Sequence, residues 1–375
     1  MNERWILQFC HCHYGPFLDV ARQYAALFKG GPYRVLTVYL TGEPSEAATT
    51  GSASDEVIFL NYRSKAVSGL KLSAIRALRK IAASRDFALI IAHRFKPIYI
   101  ACLASGLPVI GVHHAFGDYR RAPRRWFVNA FRNRLALLGV SDAIRDDIRK
   151  KLPDWPNGRI ETLHNRLDVA AARAEVVPRE QARQVLGLPQ DAIIVGNVGR
   201  LHADKDQVTL LRGFSRALPQ LPQEVLLVII GSGPLHDQLL AQAAELGIAG
   251  RVRFLGQVPQ ARSLFAAFDL FVLSSDHEPF GMVLLEAMVA GVPVMATDCG
   301  GAPEIVRRAG QLFALRDADG LASRLSTFFA DVDEVRRKNL LDEAGSCLAE
   351  DFSDEAARRR FFALPMVHAI MGNGQ

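Results

Sequence analysis

"HEPFGMVLLEAMVAGVPVMATDCGGAPEIV", residues 277–306, determines how the rest of the chain is interpreted. It predicts a helix that begins at Gly281 and ends at Gly291, because glycine often ends a helix and a proline follows two residues later. Glu278 precedes this helix and Glu286 lies inside it, although almost every other side chain there is apolar. Burying an ionised carboxylate is costly unless another group pairs with it. A bound ligand is therefore the first hypothesis.

The start of this helix suits an anion, because a helix N-terminus carries unpaired N–H groups and a partial positive charge. A phosphate bound there would leave Glu286 to accept hydrogen bonds from ribose hydroxyls and Glu278 to accept those of a sugar. The alternative is a buried glutamate paired with a neighbouring arginine or lysine. Gly300 and Gly301 precede a second predicted helix and permit a close backbone approach to a ligand, although a tight turn alone also favours glycine.

Outside this stretch, short β-rich apolar runs alternate with helical patterns along nearly the whole chain. Several runs are apolar on both faces, which is typical of a parallel sheet covered by helices. The alternation predicts an α/β fold built from doubly wound domains. The predicted strands are RWILQF, RVLTVYL, EVIFL, ALIIAH, PVIGVHH, LALLGV, AIIVGNV, VLLVIIG, VRFLG, DLFVLSS and PVMAT.

The length of 375 residues favours two domains. The polar stretch AARAEVVPREQARQ near residue 175 is the predicted linker. We therefore predict one domain at 1–172, a second domain at 173–350, and a C-terminal helical segment at 351–375 that is free to fold back on the first domain. Ligands of such sheets bind beyond the carboxyl ends of the strands, so two facing domains would share a cleft.

Composition excludes several classes of protein. The hydrophobic fraction of 49% and the charged fraction of 22% are those of a globular chain, not of a disordered or fibrous one. Five scattered cysteines argue against a disulfide framework and favour a reducing compartment. The first residues include an early acid and too short an apolar run for a signal peptide, and no run reaches the roughly 18 apolar residues of a membrane span. These features predict a cytoplasmic protein.

A cationic signal lies in VGNVGRLHADKD, residues 195–206. Arg200 and Lys205 follow a buried strand on a ligand-facing loop, where they would hold a diphosphate. Two solvated surface charges are the alternative. Asp204 and Asp206 have the D-x-D spacing of a metal site, but the lysine between them opposes a cation, so we predict no metal.

Two other nucleotide motifs are weak or absent. VLLVIIGSGP places Gly231 and Gly233 after a strand, but His236 replaces the third glycine of a dinucleotide fingerprint, so a tight turn is the simpler interpretation. The sequence contains no GxxxxGK[ST], which excludes a P-loop.

Together these segments resemble the retaining GT-B glycosyltransferases of family 4, also called glycosyl transferase group 1. EPFGMVLLEAMVAGVPVMATDCGGAPEIV is similar to their E-x7-E signature, and VGRLHADKD is similar to their donor-phosphate motif. The resemblance is dense across 195–306 and implies the GT-B fold, two Rossmann-like domains facing across a cleft. It implies that 1–172 is the acceptor-binding domain and 173–350 the nucleotide-sugar donor-binding domain. It also implies the donor site, with Arg200 and Lys205 on the diphosphate, Glu286 on the ribose, Glu278 on the transferred sugar, Val258 beside the nucleobase through its backbone, and Phe280, Gly281, Met282 and Val283 completing it.

In the first half the resemblance is thinner. HCHYGPF has Gly15 alone where the family often has two glycines, and the resemblance implies that Gly15 approaches the donor phosphate. PVIGVHHAFGD ends a predicted strand in two histidines, and spacing favours His114 over His113 as the family's histidine near the reacting sugar. A histidine that caps the strand structurally is the alternative. LHNRLD resembles a family turn that keeps Asn165 and Asp168, which predicts a structural hinge region.

Cys10, His11, Cys12 and His13 invite a zinc interpretation. Strand alternation would send the two sulfurs to one face and the two imidazoles to the other. Because no second ligand pair lies elsewhere in the sequence, we predict no zinc site.

RRAPRRWFVNAFRNR, residues 120–134, holds six arginines and no acid. On a helix starting near Pro123, the aromatic side chains share one face and arginines lie opposite, so the helix is able to lie on an anionic membrane. A solvated arginine face over an ordinary core stripe is the alternative, and no motif supports nucleic-acid binding. The candidate membrane-surface residues are Arg121, Arg125, Trp126, Phe127, Phe131 and Arg132, with Ala130 on the aromatic face.

The resulting hypothesis is a retaining glycosyltransferase of the hexosyltransferase type. It would move a sugar from a nucleotide diphosphate sugar, preferably a UDP-sugar, to a hydroxyl of a glycan or glycolipid in lipopolysaccharide core or other surface polysaccharide synthesis. We expect no cofactor or metal, a peripheral position on the inner face of the cytoplasmic membrane as one possibility, and His114, Glu278, Arg200 and Lys205 as the catalytic set. The alternatives are an inactive nucleotide-sugar-binding scaffold, a nucleotide-sugar epimerase and a glycogen-type phosphorylase, whereas a glycosidase would not need the cationic phosphate site.

Overall fold

The structure is a computed structural model that describes residues 3–63, 65–331 and 334–371. The chain divides into two compact units. The first unit runs to Arg166 and resumes at Asp354, and the second unit is the continuous segment Leu167–Ser353.

The first unit contains a seven-stranded sheet with strand order β3-β2-β1-β4-β5-β6-β7. Every neighbouring pair is parallel, and the central strands are buried. The strands are β1 (Arg4–Cys10), β2 (Tyr33–Tyr39), β3 (Glu56–Phe59), β4 (Phe87–His93), β5 (Val109–His113), β6 (Leu135–Gly139) and β7 (Ile160–Thr162).

Helices connect these strands, as parallel pairing requires. Among the helices described before the second unit, the last is capped by Ser141, whose side chain accepts a hydrogen bond from the Ile144 N–H. The helices are α1 (Pro16–Ala26), α2 (Glu46–Gly51), α3 (Leu72–Ala82), α4 (Phe95–Ala104), α5 (Ala122–Ala130) and α6 (Asp142–Lys151).

The second unit contains a six-stranded parallel sheet, with order β10-β9-β8-β11-β12-β13. Its strands are β8 (Ile193–Val198), β9 (Val225–Ile230), β10 (Val252–Phe254), β11 (Leu270–Leu273), β12 (Val294–Thr297) and β13 (Gly310–Phe313). Its helices are α7 (Val169–Ala174), α8 (Arg179–Val185), α9 (Gln207–Ala217), α10 (His236–Glu245), α11 (Met282–Val289), α12 (Ala302–Ala309), α13 (Ala318–Asp331) and α14 (Glu334–Asp351).

The predicted fold class is confirmed, since both units are doubly wound parallel α/β sheets. The predicted strands correspond to β1–β6 and β8–β12. Two edge strands, β7 and β13, were not predicted.

The polar stretch near residue 175 forms α7 and α8, and the second unit begins before it, at Leu167. The Arg183 side chain in α8 is fully buried and donates to Asp269 Oδ2 over 2.8 Å. Arg179 donates to the other oxygen of the same carboxylate over 2.7 Å. The polarity that suggested a linker therefore belongs to an ion-pair cluster that fixes α8 within the second unit.

The C-terminal helices α15 (Asp354–Ala363) and α16 (Pro365–Met371) belong to the first unit. Asp354 accepts hydrogen bonds from Arg22 and from the fully buried Arg166, each over 2.9 Å. The Phe361 ring meets the Phe28 ring edge-on at 5.6 Å between centroids. The first unit is thus completed by a segment from the far end of the chain.

Within the described part of the chain, no helix combines the length and apolar character needed to cross a membrane.

Candidate functional site

The strand order of the second sheet reverses between β8 and β11. Open α/β sheets bind ligands at the carboxyl ends of the strands where such a reversal occurs. Arg200 and Lys205 follow β8, and Glu278 follows β11. The topology therefore brings the predicted cations and the predicted carboxylate to one switch point.

Lys205 and Glu278 form an ion pair at this switch point. Lys205 Nζ donates to Glu278 Oε2 over 2.7 Å, and the two side chains are only 18% and 9% exposed. The pairing of a buried glutamate with a lysine was the alternative offered by the sequence, and it is present. Both groups lie at the place where open α/β sheets bind ligands, so an anion bound there would share Lys205 with Glu278.

Backbone contacts join the loop after β8 to the loop after β11. The Ser274 hydroxyl donates to the Lys205 carbonyl over 2.9 Å, and the Asp276 N–H donates to the Asp204 carbonyl over 3.0 Å. Asp206 caps α9 by accepting from the Thr209 N–H over 3.3 Å. These bonds fix the backbone that carries Lys205.

Arg200 is the exposed member of the site, with 71% of its side chain accessible. Its Nη2 lies 3.1 Å from Asp204 Oδ2. Burial works to raise the pKa of Asp204, but the hydrogen bond from His202 and the charges of Lys205 and Arg200 together lower it. Asp204 therefore stays ionised and orients an arginine that remains accessible to a ligand.

Glycines let two loops press against the backbone of the site. Gly300 has φ +61°, and a Cβ there would lie 2.0 Å from the Glu278 carbonyl oxygen. Gly301 N–H donates to that same oxygen over 2.8 Å. Gly231 is equally constrained, since its Cβ would lie 1.8 Å from the Gly199 oxygen. Both positions need glycine, because any side chain would overlap the backbone of a neighbouring loop. These close contacts fix the positions of Gly199 and Glu278.

Helix α11 begins at Met282, one residue later than predicted, with Gly281 at its N-cap in the left-handed region (φ +108°). Met282 and Val283 are half-buried in its first turn, and Glu286 is half-buried one turn further on. The Phe280 N–H lies 3.5 Å from Glu278 Oε1.

The remaining predicted donor residues lie beside this helix or at the sheet edge. The buried Phe280 ring contacts Phe352 at 5.7 Å between centroids. Val258 is half-buried in the loop that follows β10. The second unit therefore holds all the predicted donor residues except Gly15.

Gly15 and His114 are the two predicted site residues of the first unit. Gly15 caps α1 with φ +56° and is exposed. His114 follows β5 and is half-buried, with its Nε2 3.3 Å from His93 Nδ1. Burial, followed by the charges of His93, His113 and Arg94, holds the pKa of His114 well below its usual value, so its imidazole is neutral at physiological pH.

His113 is the histidine with a structural role. Its ring is fully buried, its Nδ1 lies 2.7 Å from Asp118 Oδ2 and its Nε2 lies 2.9 Å from the Tyr119 hydroxyl. Both ring nitrogens of His113 are therefore engaged inside the unit.

Sequence reasoning missed the cations that follow β4. Arg94 has φ +74° and ψ +159°, a region that is nearly exclusive to glycine and costs about 1–3 kcal/mol for other residues. Lys96 lies in the first turn of α4, and Lys71 caps α3. The sequence contains a pattern that indicates these cations. HRFKP follows the apolar strand ALIIA in the same way that GRLHADK follows AIIVGNV.

The alternation expected across Cys10, His11, Cys12 and His13 does not continue, because β1 ends at Cys10. Burial raises the pKa of the Cys10 thiol to about 12. Burial, and then the charges of Lys96 and Arg94, lower the pKa of His11 to about 4. Cys10 is therefore a protonated core thiol, and His11 is a neutral ring beside the cations that follow β4.

The basic segment differs from its predicted arrangement. Trp126 is 73% exposed and Ala130 is exposed, whereas Phe127 contacts Tyr99 and Phe131 at 4.7 and 4.8 Å between ring centroids. The prediction that the aromatic side chains share one face was wrong. Trp126 and Phe127 are consecutive within α5, and consecutive helical residues point about 100° apart, so only Phe127 faces the other rings.

The arginines of this segment also divide into two groups. Arg125 Nη1 donates to the carbonyls of Tyr119 and Arg120 over 3.0 and 2.9 Å, so it stabilises the preceding turn. Arg121 and Arg132 are exposed. The exposed part of the candidate membrane surface is thus Arg121, Trp126 and Arg132.

Family models match both halves of the chain. The model described as "Glycosyl transferases group 1" matches residues 178–340, and the model described as "Glycosyltransferase Family 4" matches residues 17–171. The lipopolysaccharide core biosynthesis glycosyltransferase LpsE of Rhizobium meliloti (strain 1021) is 36% identical over 185 residues, which are 48% of this chain and 52% of LpsE. The chain spans about half the length of the curated relatives it matches.

Solved structures share the fold over nearly the full length of the chain. A glycosyltransferase from Rickettsia africae ESF-5 superposes with a TM-score of 0.85 at 15% identity, covering 100% of both chains. Anabaena Alr3699/HepE in complex with UDP superposes with a TM-score of 0.76 at 21% identity, covering 96% of this chain and 98% of that one. At these identities the likeness establishes the fold alone, which is the GT-B fold.

Proposed function

Since this chain belongs to the group 1 glycosyl transferases, we propose that it moves a sugar from a nucleotide diphosphate sugar to a hydroxyl of an acceptor, with retention of configuration. The observation that carries the proposal is the Lys205–Glu278 ion pair at the β8/β11 switch point, beside the N-terminus of α11. This arrangement provides positive charge for a diphosphate and a carboxylate for a sugar at one place.

The leaving nucleoside diphosphate gains negative charge as the bond to the sugar breaks. Arg200 is exposed and able to bind two phosphate oxygens, Lys205 is held beside the site, and the first N–H groups of α11 add partial positive charge. Preorganised groups of this kind stabilise a transition state without needing to reorient.

Glu278 and Glu286 recognise the two sugars of the donor in this proposal. Glu278 accepts hydrogen bonds from hydroxyls of the transferred sugar while it keeps its ion pair with Lys205. Glu286 accepts hydrogen bonds from the ribose hydroxyls. The backbone at Val258 lies beside the base. We propose uracil as the base, and the UDP complex of the Anabaena protein, which has the same fold, supports this choice.

Retention follows from attack on the face that the leaving group occupies. The acceptor hydroxyl bonds to the anomeric carbon as the bond to the diphosphate breaks, and its proton passes to the leaving phosphate. His114 is neutral and shapes the acceptor side of the site rather than serving as a charged acid.

We propose a glycan or glycolipid of the bacterial surface as the acceptor. The similarity to LpsE supports a lipopolysaccharide core acceptor. Exposed Trp126, with Arg121 and Arg132 nearby in sequence, supports a peripheral contact with the anionic inner face of the cytoplasmic membrane.

The test is a thermal shift of the full chain with UDP, GDP and ADP, combined with measurement of UDP release from UDP-sugars in water. UDP is expected to stabilise the wild type, and Arg200→Ala is expected to lose most of that shift. Arg324→Ala, which removes an exposed arginine on α13, is the matched control. Nuclear magnetic resonance of the first released sugar is expected to show the donor's anomeric configuration.

Other outcomes identify the alternatives. Nucleotide binding without release of any sugar would identify a binding scaffold. Release of UDP together with an epimerised sugar would identify an epimerase. No shift with any nucleotide would refute the proposed donor site itself.

A further inference from the structure

The first unit has a switch point of its own. Its strand order reverses between β1 and β4, so a ligand of this sheet is expected at the carboxyl ends of these two strands. Arg94 follows β4 directly, and Lys96 lies in the first turn of α4. His11 follows β1, beside them.

Three cations converge on this place. Lys71 Nζ lies 4.8 Å from the centroid of the Tyr99 ring, and Tyr99 is one helical turn after Lys96 on α4. The Arg94 guanidinium lies 4.7 Å above the Phe17 ring of α1. Aromatic rings therefore hold Lys71 and Arg94 next to α4, which carries Lys96 in its first turn.

The charges of these three side chains are not compensated nearby. Among the described residues, none of Lys71, Arg94 and Lys96 has a carboxylate ion-pair partner. Burial and the charge of Lys96 lower the pKa of Lys71, so the two lysines repel each other.

Asp118, the acid whose charge interacts with Arg94, already has other partners. Asp118 accepts from Arg124 over 2.9 Å and lies 2.7 Å from His113 Nδ1. Burial alone would raise the pKa of Asp118, but the hydrogen bond from His113 and the charges of His113, Arg124 and Arg94 outweigh it, so the pKa is lowered. Positive charge therefore remains in excess beside the β1/β4 switch point.

We propose that Lys71, Arg94 and Lys96 bind a phosphate group carried by the acceptor. Three cations and the unpaired N–H groups at the start of α4 suit a dianion with several oxygens better than a single carboxylate. The stacked guanidinium of Arg94 offers paired N–H donors, and each lysine offers a point charge. The site deepens the proposed function, on which it rests, by naming the acceptor class as a phosphorylated sugar or glycan.

The experiment titrates the full-length protein, saturated with UDP, with glucose 6-phosphate, glucose, glucuronate and inorganic phosphate at constant ionic strength. Glucose 6-phosphate and phosphate are expected to bind because they carry a phosphate group, whereas glucose and glucuronate are not expected to bind. Lys96→Met and Lys71→Met are each expected to weaken glucose 6-phosphate binding about tenfold, since each removes a charge-assisted hydrogen bond. Lys80→Met is the matched control, because Lys80 is an exposed lysine at the other end of α3.

Loss of binding in Lys80→Met equal to that in Lys96→Met would overturn the proposal, as would glucuronate binding as tightly as glucose 6-phosphate. Absence of any phosphate binding would overturn it as well. The donor site is tested separately, because Arg200→Ala is expected to lose UDP binding and to retain glucose 6-phosphate binding. A protein that binds glucose 6-phosphate but no nucleotide would refute the proposed function and leave the phosphate site standing.

Discussion

Both sheets carry cations at the carboxyl ends of the strands where the strand order reverses. In the second unit these cations are paired with carboxylates, and in the first unit, as far as the described residues go, they are not. At β8/β11, Lys205 is paired with Glu278 and Arg200 with Asp204. At β1/β4, Arg94 and Lys96 have no carboxylate partner among the described residues. A site that supplies its own counter-ions keeps its geometry when empty, whereas a site of unpaired cations is relieved of repulsion when an anion arrives.

The difference bears on specificity. An anion entering the second-unit site must share Lys205 with a carboxylate already in place, so its position is dictated by that pair. An anion entering the first-unit site meets cations that, among the described residues, have no carboxylate ion-pair partner, together with aromatic faces. Salt is therefore expected to weaken ligand binding more at β1/β4, because binding there depends on attraction to unpaired cations, which salt screens, whereas Lys205 is largely buried and already paired.

The largest effect is expected from breaking the pair in the second unit. Lys205→Met is predicted to lower kcat with a UDP-sugar about a hundredfold, roughly 3 kcal/mol of barrier, because it removes charge from the departing diphosphate. Lys338→Met, an exposed lysine on α14, is the control for the loss of a charge. Steady-state assay of UDP release measures both variants, and a Lys205→Met enzyme with wild-type kcat would show that the pair is only structural.

The next effect concerns the backbone that carries Glu278. Gly300→Ala is predicted to destabilise the protein by about 2–3 kcal/mol, because its Cβ would lie 2.0 Å from the Glu278 oxygen at a left-handed φ. Urea unfolding measures the change. Gly250→Ala serves as the comparison, since a Cβ there meets nothing within 4 Å. Equal stability of the two variants would argue against the close approach.

A smaller effect is expected from pH in the first unit. Burial lowers the pKa of His93 to about 3, so the native ring is neutral while the unfolded ring takes up a proton near pH 6.5. Stability is therefore complete above about pH 6.5 and falls as the pH drops towards 3, by at most about 1.4 kcal/mol per pH unit for this histidine. His93→Gln should flatten that slope by one proton in urea unfolding between pH 7.5 and 4.5. An unchanged slope would mean that His93 is not held neutral.

The smallest effect tests the strained arginine. Arg94→Gly is predicted to be more stable than Arg94→Ala by about 1 kcal/mol, because glycine adopts φ +74° without strain but loses more freedom on folding. Thermal unfolding compares the two variants, which lack the same guanidinium. If Arg94→Ala were the more stable of the pair, the backbone at this position would not be strained.

The central strands were predictable because they are long apolar runs in both sheets. The missed strands β7 and β13 have the sequences IET and GQLF and lie at sheet edges, where one side is only partly covered. Short edge strands need little apolar surface, so periodicity does not reveal them.

Within the site, local sequence indicated which residues matter but not which residues meet. Lys205 and Glu278 are 73 residues apart, and only the strand order β8-β11 brings them together. Arg94 and Lys96 were missed although their placement after an apolar strand is that of Arg200. No family motif surrounds Arg94 and Lys96, and only the strand order β1-β4, which local sequence does not reveal, places them at a ligand-binding edge.

The ion pair between Arg166 and Asp354 has a consequence for biosynthesis. The chain leaves the first unit at one of these residues and re-enters it at the other, so the unit closes only when both exist. At about 5–20 residues per second, a ribosome needs roughly 10–40 s to synthesise the segment between them. Throughout that interval the second unit is being made, and the part of the first unit that was made first still lacks α15 and α16.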